Sequence, residues 1–245
     1  MDSPGYIILS RLSAQMRASS VAANNLANAE TPGFRASRPV FSELVTRQNG
    51  VGAQGRNAAY SWDRATWRDL TPGPITTTGN PLDVAIQGSG YFAIETPGGE
   101  RYTRAGRFTI SAEGRLVDQQ GNAVLNVNSQ PIAIAAGDAR IEIRGDGTIR
   151  SENGVIGQLR IVRFEDEQDL RAEGDRLFDA GGQEAEAVAR PSLVQGAVEG
   201  SNVRSVTEMT RMMAELREFQ IASQFLDHEG ERQQSAIDRL LRRRS

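Results

Sequence analysis

The fragments of this sequence that could do chemistry are few, and each has a simpler meaning. Gly88-Ser89-Gly90 invites a phosphate-loop reading, but the Gly-x-Gly-x-x-Gly spacing is missing and no helical pattern follows. A hairpin turn accounts for it. Arg144-Gly145-Asp146 spells an adhesion tripeptide, and Asp146-Gly147 looks like a piece of a calcium loop. The ladder of Asx residues and the distal Glu of such a loop are absent, so a tight turn is the better reading. Glu165, Asp166, Glu167 and Asp169 would suit a cation or simply a solvated loop. His228 is the single histidine, and as a general base it would need partners on its own helix face. Asp227 and Glu229 point to other faces. Arg242-Arg243-Arg244 could meet an acidic surface, or offset a helix dipole. No catalytic, cofactor-binding or metal-ligating set emerges, so the chain is expected not to be an enzyme and to need no cofactor and no small-molecule ligand.

Composition narrows the field further. The 245 residues carry a net charge of −3, with a pI near 5.4, so nothing calls for nucleic acid as a partner. All 28 basic residues are arginine. The absence of cysteine removes disulfides and thiolate chemistry and leaves the redox compartment open. The apolar run Tyr6–Leu9 is far shorter than a signal-peptide core, and no stretch approaches the ~20 residues of a membrane span. Export, if it occurs, is expected to use a route without a cleaved signal.

The elements that would position any site fall into three textures. Near the start, Ser3 and Pro4 read as a helix opening, and Leu9, Leu12, Met16, Ser19, Ala23 and Leu26 recur at steps of three and four. Near the end, Ser205-Val206-Thr207-Glu208 reads as a capping box, followed by Met209, Met212, Leu216, Phe219, Ser223 and Leu226 at the same steps. Gly230 interrupts this seam, and Ile237 and Leu240 resume it. Both stripes have the a/d spacing of a coiled coil. Between them lie short branched or alternating runs, such as "PLDVAIQ", "YFAIE" and "GQLRIVRFE", separated by Gly-containing turns. The expected class is α+β, with the N- and C-terminal helices paired as a coiled coil and a central antiparallel β-rich domain. Residues 1–35 plus 204–245 would form the helical domain, 36–80 an extended arm or linker, and 81–203 the β-rich domain.

Four collinear motifs carry a resemblance. "ANNLANAETPGF" (23–34) with Arg35, "TGNPLDVAIQGSGYFAI" (79–94), "YTRAGRFTISAEGRLVDQQGNAVL" (102–125) and "VQGAVEGSNV" (194–203) resemble the bacterial flagellar rod and hook proteins, in that family's order. Within it, "ETPGFR", residues 157–178 and "ELREFQIASQ" look most like a proximal-rod subunit, with a distal-rod or hook subunit as the alternative. An exported cell-wall hydrolase is a remote alternative, because the acids fall mostly in turns and loops. The resemblance implies a structural subunit of the basal-body rod, the tubular drive shaft that transmits torque. It also implies export by the flagellar type III apparatus without a cleaved signal, and assembly in the periplasm with copies of itself and other rod proteins, proximal and distal. The terminal helices would form the inner core and the β body the outer layer.

The expected assembly interface comprises Leu9, Leu12, Met16, Ala23, Asn24, Asn25, Leu26 and Asn28, then Thr31, Pro32, Gly33 and Phe34. From the second half come Gly200, Ser201, Asn202 and Val203, with Met209, Met212, Leu216, Phe219 and Leu226. The three asparagines are costly in a helix interior. Asn24 and Asn28 share a face four apart, with Asn25 beside them. They are expected to bond neighbouring subunits' backbones and fix stacking, the alternative being that they only end the helix.

Overall fold

The computed structural model describes residues 3–47, 57–138 and 140–242. Helix α1 spans Ser3–Ala27 and is followed by a turn in which Thr31 N–H donates to Asn28 O at 3.2 Å. Helix α2 spans Ser205–Arg242 and runs unbroken through Gly230. One glycine costs about 1 kcal/mol, too little to break a helix of 38 residues. The side chains of Ile237 and Leu240, and residues Arg243 and Arg244, lie outside the described set.

The expected class requires correction. Strands dominate the chain, eighteen among the described residues, with one helix C-terminal to them, and the terminal helices do not form a paired coiled coil. Several seam positions are left open: Leu9 is 51% exposed, Met16 64%, Met209 51% and Leu216 44%. Ala14, Ala18, Ala22 and Asn25 are buried instead, at steps of four, four and three. This ridge of small residues lets α1 lie close against its neighbours, which include both strands of a hairpin as well as α2. A two-helix seam cannot describe a helix contacted by three elements.

That hairpin is built from β1 (Ser37–Arg47) and β2 (Asn57–Arg68), antiparallel from Ser37 opposite Arg68 to Arg47 opposite Asn57. A register shift falls between Val40 and Phe41. The sequence places this stretch within an extended arm over 36–80; residues 48–56 lie outside the described set. With residues 1–27 and 204–245, residues 37–68 make up one unit.

The second unit comprises residues 28–36 and 69–203. It holds the short strands β3 (Ile75–Thr77), β4 (Val84–Ile86), β5 (Tyr91–Thr96) and β6 (Gly99–Thr103) and the remaining strands up to residue 199. β5 pairs with β6 and with residues 123–124 and 161–163, all antiparallel. Its side chains alternate between two cores. Phe92 and Ile94 pack with Val84, Phe108, Leu116 and Ile149, while Tyr91 and Ala93 pack with Tyr102, Phe164 and Phe178. Burial on both faces explains why "YFAI" reads as a continuous apolar run rather than an alternating one. Edge-to-face contacts tie each core, with ring centroids 5.1 Å apart for Phe92–Phe108 and 4.7 Å for Tyr102–Phe164.

Candidate assembly interface

In the first unit the buried polar centre is Asn25, 1% exposed. Its amide Nδ2 donates to Ser37 O at 2.9 Å, and its Oδ1 accepts from Ser37 N–H at 2.9 Å. A side-chain amide thus does for the start of β1 what a neighbouring strand would do. Nδ2 also reaches Glu208 Oε2 at 3.3 Å, and Glu208 is itself buried and paired with Arg38 from β1 and Arg211 at 3.4 Å. Glu208, expected to cap α2 locally, faces α1 and β1 instead. Asn24 lies on the exposed side, and half-buried Asn28 accepts from Thr31 Oγ1 at 3.2 Å.

In the second unit the motif ends meet. Gly33 adopts φ +72°, donates to Glu199 O at 2.8 Å, and sits so close to the backbone that a Cβ would lie 2.6 Å from Ala105 N. Only glycine combines that conformation with that approach. Asn202 stitches three strands of chain: Oδ1 accepts from Ala36 N–H at 2.7 Å, and Nδ2 donates to Asp69 O and Thr71 O, each at 2.9 Å. Ser201 and Val203 are buried beside it, and Pro32, Phe34 and Gly200 are partly buried.

Beneath these backbones lies a charged cluster that sequence reasoning missed. Arg104, with its side chain 0% exposed, lies 2.6 Å and 2.8 Å from Glu199 Oε2 through Nη2 and Nε and donates to Gly88 O at 2.9 Å. Arg35 adds contacts to Glu199 at 3.9 Å and Glu167 at 3.7 Å and donates to Leu70 O. Tyr91 Oη donates to Glu167 Oε2 at 2.7 Å, and burial together with the nearby Glu167 carboxylate pushes the phenol well above its usual range, so it stays a donor. Glu199 in the strand run "VQGAVEG" was the available signal, since a charge amid apolar strand residues must be paired to be buried. Among the described residues, no group of three or more His, Cys, Asp or Glu is placed to hold a metal ion. His228 Nδ1 lies 3.6 Å from Glu231 on the open surface of α2.

The interface residues expected from sequence therefore separate. Gly33, Ser201, Val203 and Asn25 are interior, and Asn202 is half-buried. Leu9, Met16, Ala23, Asn24, Met209 and Leu216 are exposed, and Leu12, Leu26, Met212, Phe219 and Leu226 are half-buried. The arrangement has the character of a polymer subunit, with polar interiors bracing the chain and apolar side chains left outside on the helices.

Family comparisons agree with that class. Residues 6–35 match the flagella basal body rod protein family, 85–151 the flagellar hook protein FlgE/F/G D1 domain, and 194–239 the flagellar basal body rod FlgEFG protein C-terminal family. The chain is 33% identical to the flagellar basal-body rod protein FlgF of Caulobacter vibrioides, over 98% of both chains. It is also 33% identical to FlgF of Escherichia coli, over 90% of this chain and 91% of the relative. With FlgG of Agrobacterium fabrum the identity is 35%, over 88% and 90%. These matches define a flagellar axial protein. The chain belongs to the flagellar basal-body rod protein FlgF family, as a structural subunit of the basal-body rod, and the end-to-end FlgF match favours that assignment over a distal-rod FlgG one.

Proposed function

We propose that this rod subunit polymerises through the surface of α1 and α2 into the tubular shaft that transmits torque, with copies of itself and other rod proteins as neighbours and no catalysis of its own. The observation carrying this reading is the concentration of large exposed apolar side chains on the two helices. Leu9 and Met16 stand out on α1, and Val206, Met209, Met213, Leu216, Ile221, Phe225 and Leu241 on α2, between 44% and 79% exposed. Val206, Met209, Met213 and Leu216 recur at steps of three and four and so share one helix face, the pattern of a binding face. The interface therefore comprises Leu9, Met16, Ala23, Asn24, Met209 and Leu216, while Gly33, Asn202 and the buried Asn25 hold the subunit in shape. Export through the flagellar type III apparatus, without a cleaved signal peptide, belongs to the same reading and rests on the family resemblance.

Sedimentation velocity of the full chain over a concentration series tests the assembly step. Met16→Gln with Leu216→Gln is expected to suppress self-association while leaving the far-ultraviolet circular dichroism unchanged, because both side chains are already in solvent. Association identical to that of the parent chain would overturn the proposal. Export in cells lacking the flagellar secretion apparatus tests the second step: secretion that persists would refute it.

A further inference from the structure

We propose that the groove between α1 and α2 is a socket for an arginine of a second copy of this chain, presented by the C-terminal half of that copy's α2. The proposal rests on the assembly reading above and specifies its contact. The groove has a volume of about 330 Å³ and is lined by Gln15, Met16, Ala23, Glu215, Leu216 and Phe219, among others. Two of these residues hold an acceptor oxygen that is sealed from water and has no hydrogen-bond partner: Gln15 Oε1 and Glu215 Oε2. Gln15 has already committed its Nε2 to Glu218 Oε2 at 3.0 Å. What the groove wall lacks is a donor, and rotation about the Glu215 side-chain bonds turns its carboxylate toward the groove while Gln15 stays on Glu218.

The charges around Glu215 favour a cationic donor. From its own helix it faces Glu208, Glu218 and Arg211. α1 supplies neutral Gln15, and its Arg11 is held by Glu218 at 3.4 Å. β1 supplies Arg38, which is already paired with Glu208. Burial, reinforced by Glu208 and Glu218 and opposed by Arg211, holds the Glu215 carboxyl above its ordinary range. A guanidinium would pair with the Glu215 carboxylate, while its methylene stem lies along Met16, Leu216 and Phe219.

The donor's source follows from the chain itself. Every basic residue here is arginine. α2 has 38 residues and α1 has 25, so α2 is longer by about 20 Å at ~1.5 Å per residue. Its far half carries exposed Phe225 and Leu241 together with exposed Arg239. That segment offers both the apolar surface and the guanidinium the groove is built to take.

A charge swap in the full chain, read by sedimentation equilibrium, tests the socket. Glu215→Arg alone and Arg239→Glu alone are each expected to weaken self-association about tenfold or more, and the combined variant to regain most of it. Parent association should strengthen as pH rises through the raised Glu215 titration, because a bound guanidinium favours the carboxylate; Glu215→Gln should abolish that dependence. Should Glu215→Arg lose helicity, the pH profile of the isosteric Glu215→Gln decides, and a profile like the parent's would overturn the socket. Glu215→Arg associating normally, or a swap that recovers nothing, would also overturn it. If Met16→Gln with Leu216→Gln blocks association while these charge variants do not, the helical interface stands and the socket alone falls. A parent chain that never self-associates refutes both.

Discussion

Asn25 closes two hydrogen bonds, each of 2.9 Å, on the N–H and C=O of Ser37, twelve residues further along the chain. The amide fits the backbone because it offers one donor and one acceptor in the same plane, as a peptide group does. This is an intrachain task, and it gives Asn25 a different role from Asn24, one residue earlier on the exposed side of α1. Asn25→Ala would strand the buried groups it serves, at roughly 1–3 kcal/mol for each unsatisfied one. Asn24→Ala should change stability by under about 0.5 kcal/mol, the usual range for surface positions. Urea denaturation of the two variants side by side measures the contrast, and equal losses would sink it.

The Arg104–Glu199 pair makes a sharper prediction. Both side chains are essentially sealed, so removing one partner leaves a charge uncompensated. Arg104→Met alone should cost about 3–5 kcal/mol. Adding Glu199→Gln should recover part of that loss, although Arg35 then loses one of its acidic neighbours. A double-mutant cycle by chemical denaturation gives the coupling energy, and strict additivity would show that the two side chains act independently.

Gly33 and Gly79 separate backbone strain from steric exclusion. Both have positive φ, 72° and 77°, but a Cβ on Gly33 would meet Ala105 N and Arg104 C at 2.6 Å, whereas one on Gly79 meets nothing within 4 Å. Gly79→Ala should cost about 1 kcal/mol from conformation alone, and Gly33→Ala distinctly more. Thermal unfolding of the pair provides the comparison.

Acid sensitivity has a local source at Asp138. Hydrogen bonds from Ser151 and Asn153, with a smaller contribution from the Ala135 backbone, hold its carboxyl below the ordinary aspartate range. A depressed folded-state value means that the stabilisation is complete above the unfolded-state value and is lost as pH falls through the folded one. The stability difference between the parent and Asp138→Asn should therefore shrink progressively below about pH 4. A difference that stays constant from pH 6 to pH 2 would contradict this.

The sequence by itself determined the local elements. "YFAIE" and "RYTRA" carry their strand character in their own residue types, the Pro32-Gly33 turn is required by its backbone geometry, and no Gly or Pro interrupts the chain between Gly5 and Pro32. The order of the motifs also carried the family. Tertiary structure alone decided which faces are buried. The Leu and Met stripe on α1 obeys a helical period, yet the helix buries Ala14, Ala18 and Ala22, because small residues permit the closest approach when a hairpin and a second helix crowd the same side. Periodicity reports which residues are apolar and says nothing of which neighbour arrives. The same reason hid the β1–β2 hairpin and the partners of Asn25 and Glu199, since Ser37, Glu208 and Arg104 come to them only through folding. Hydrogen bonds and ion pairs between residues 12, 183 and 95 positions apart leave no trace in local spacing.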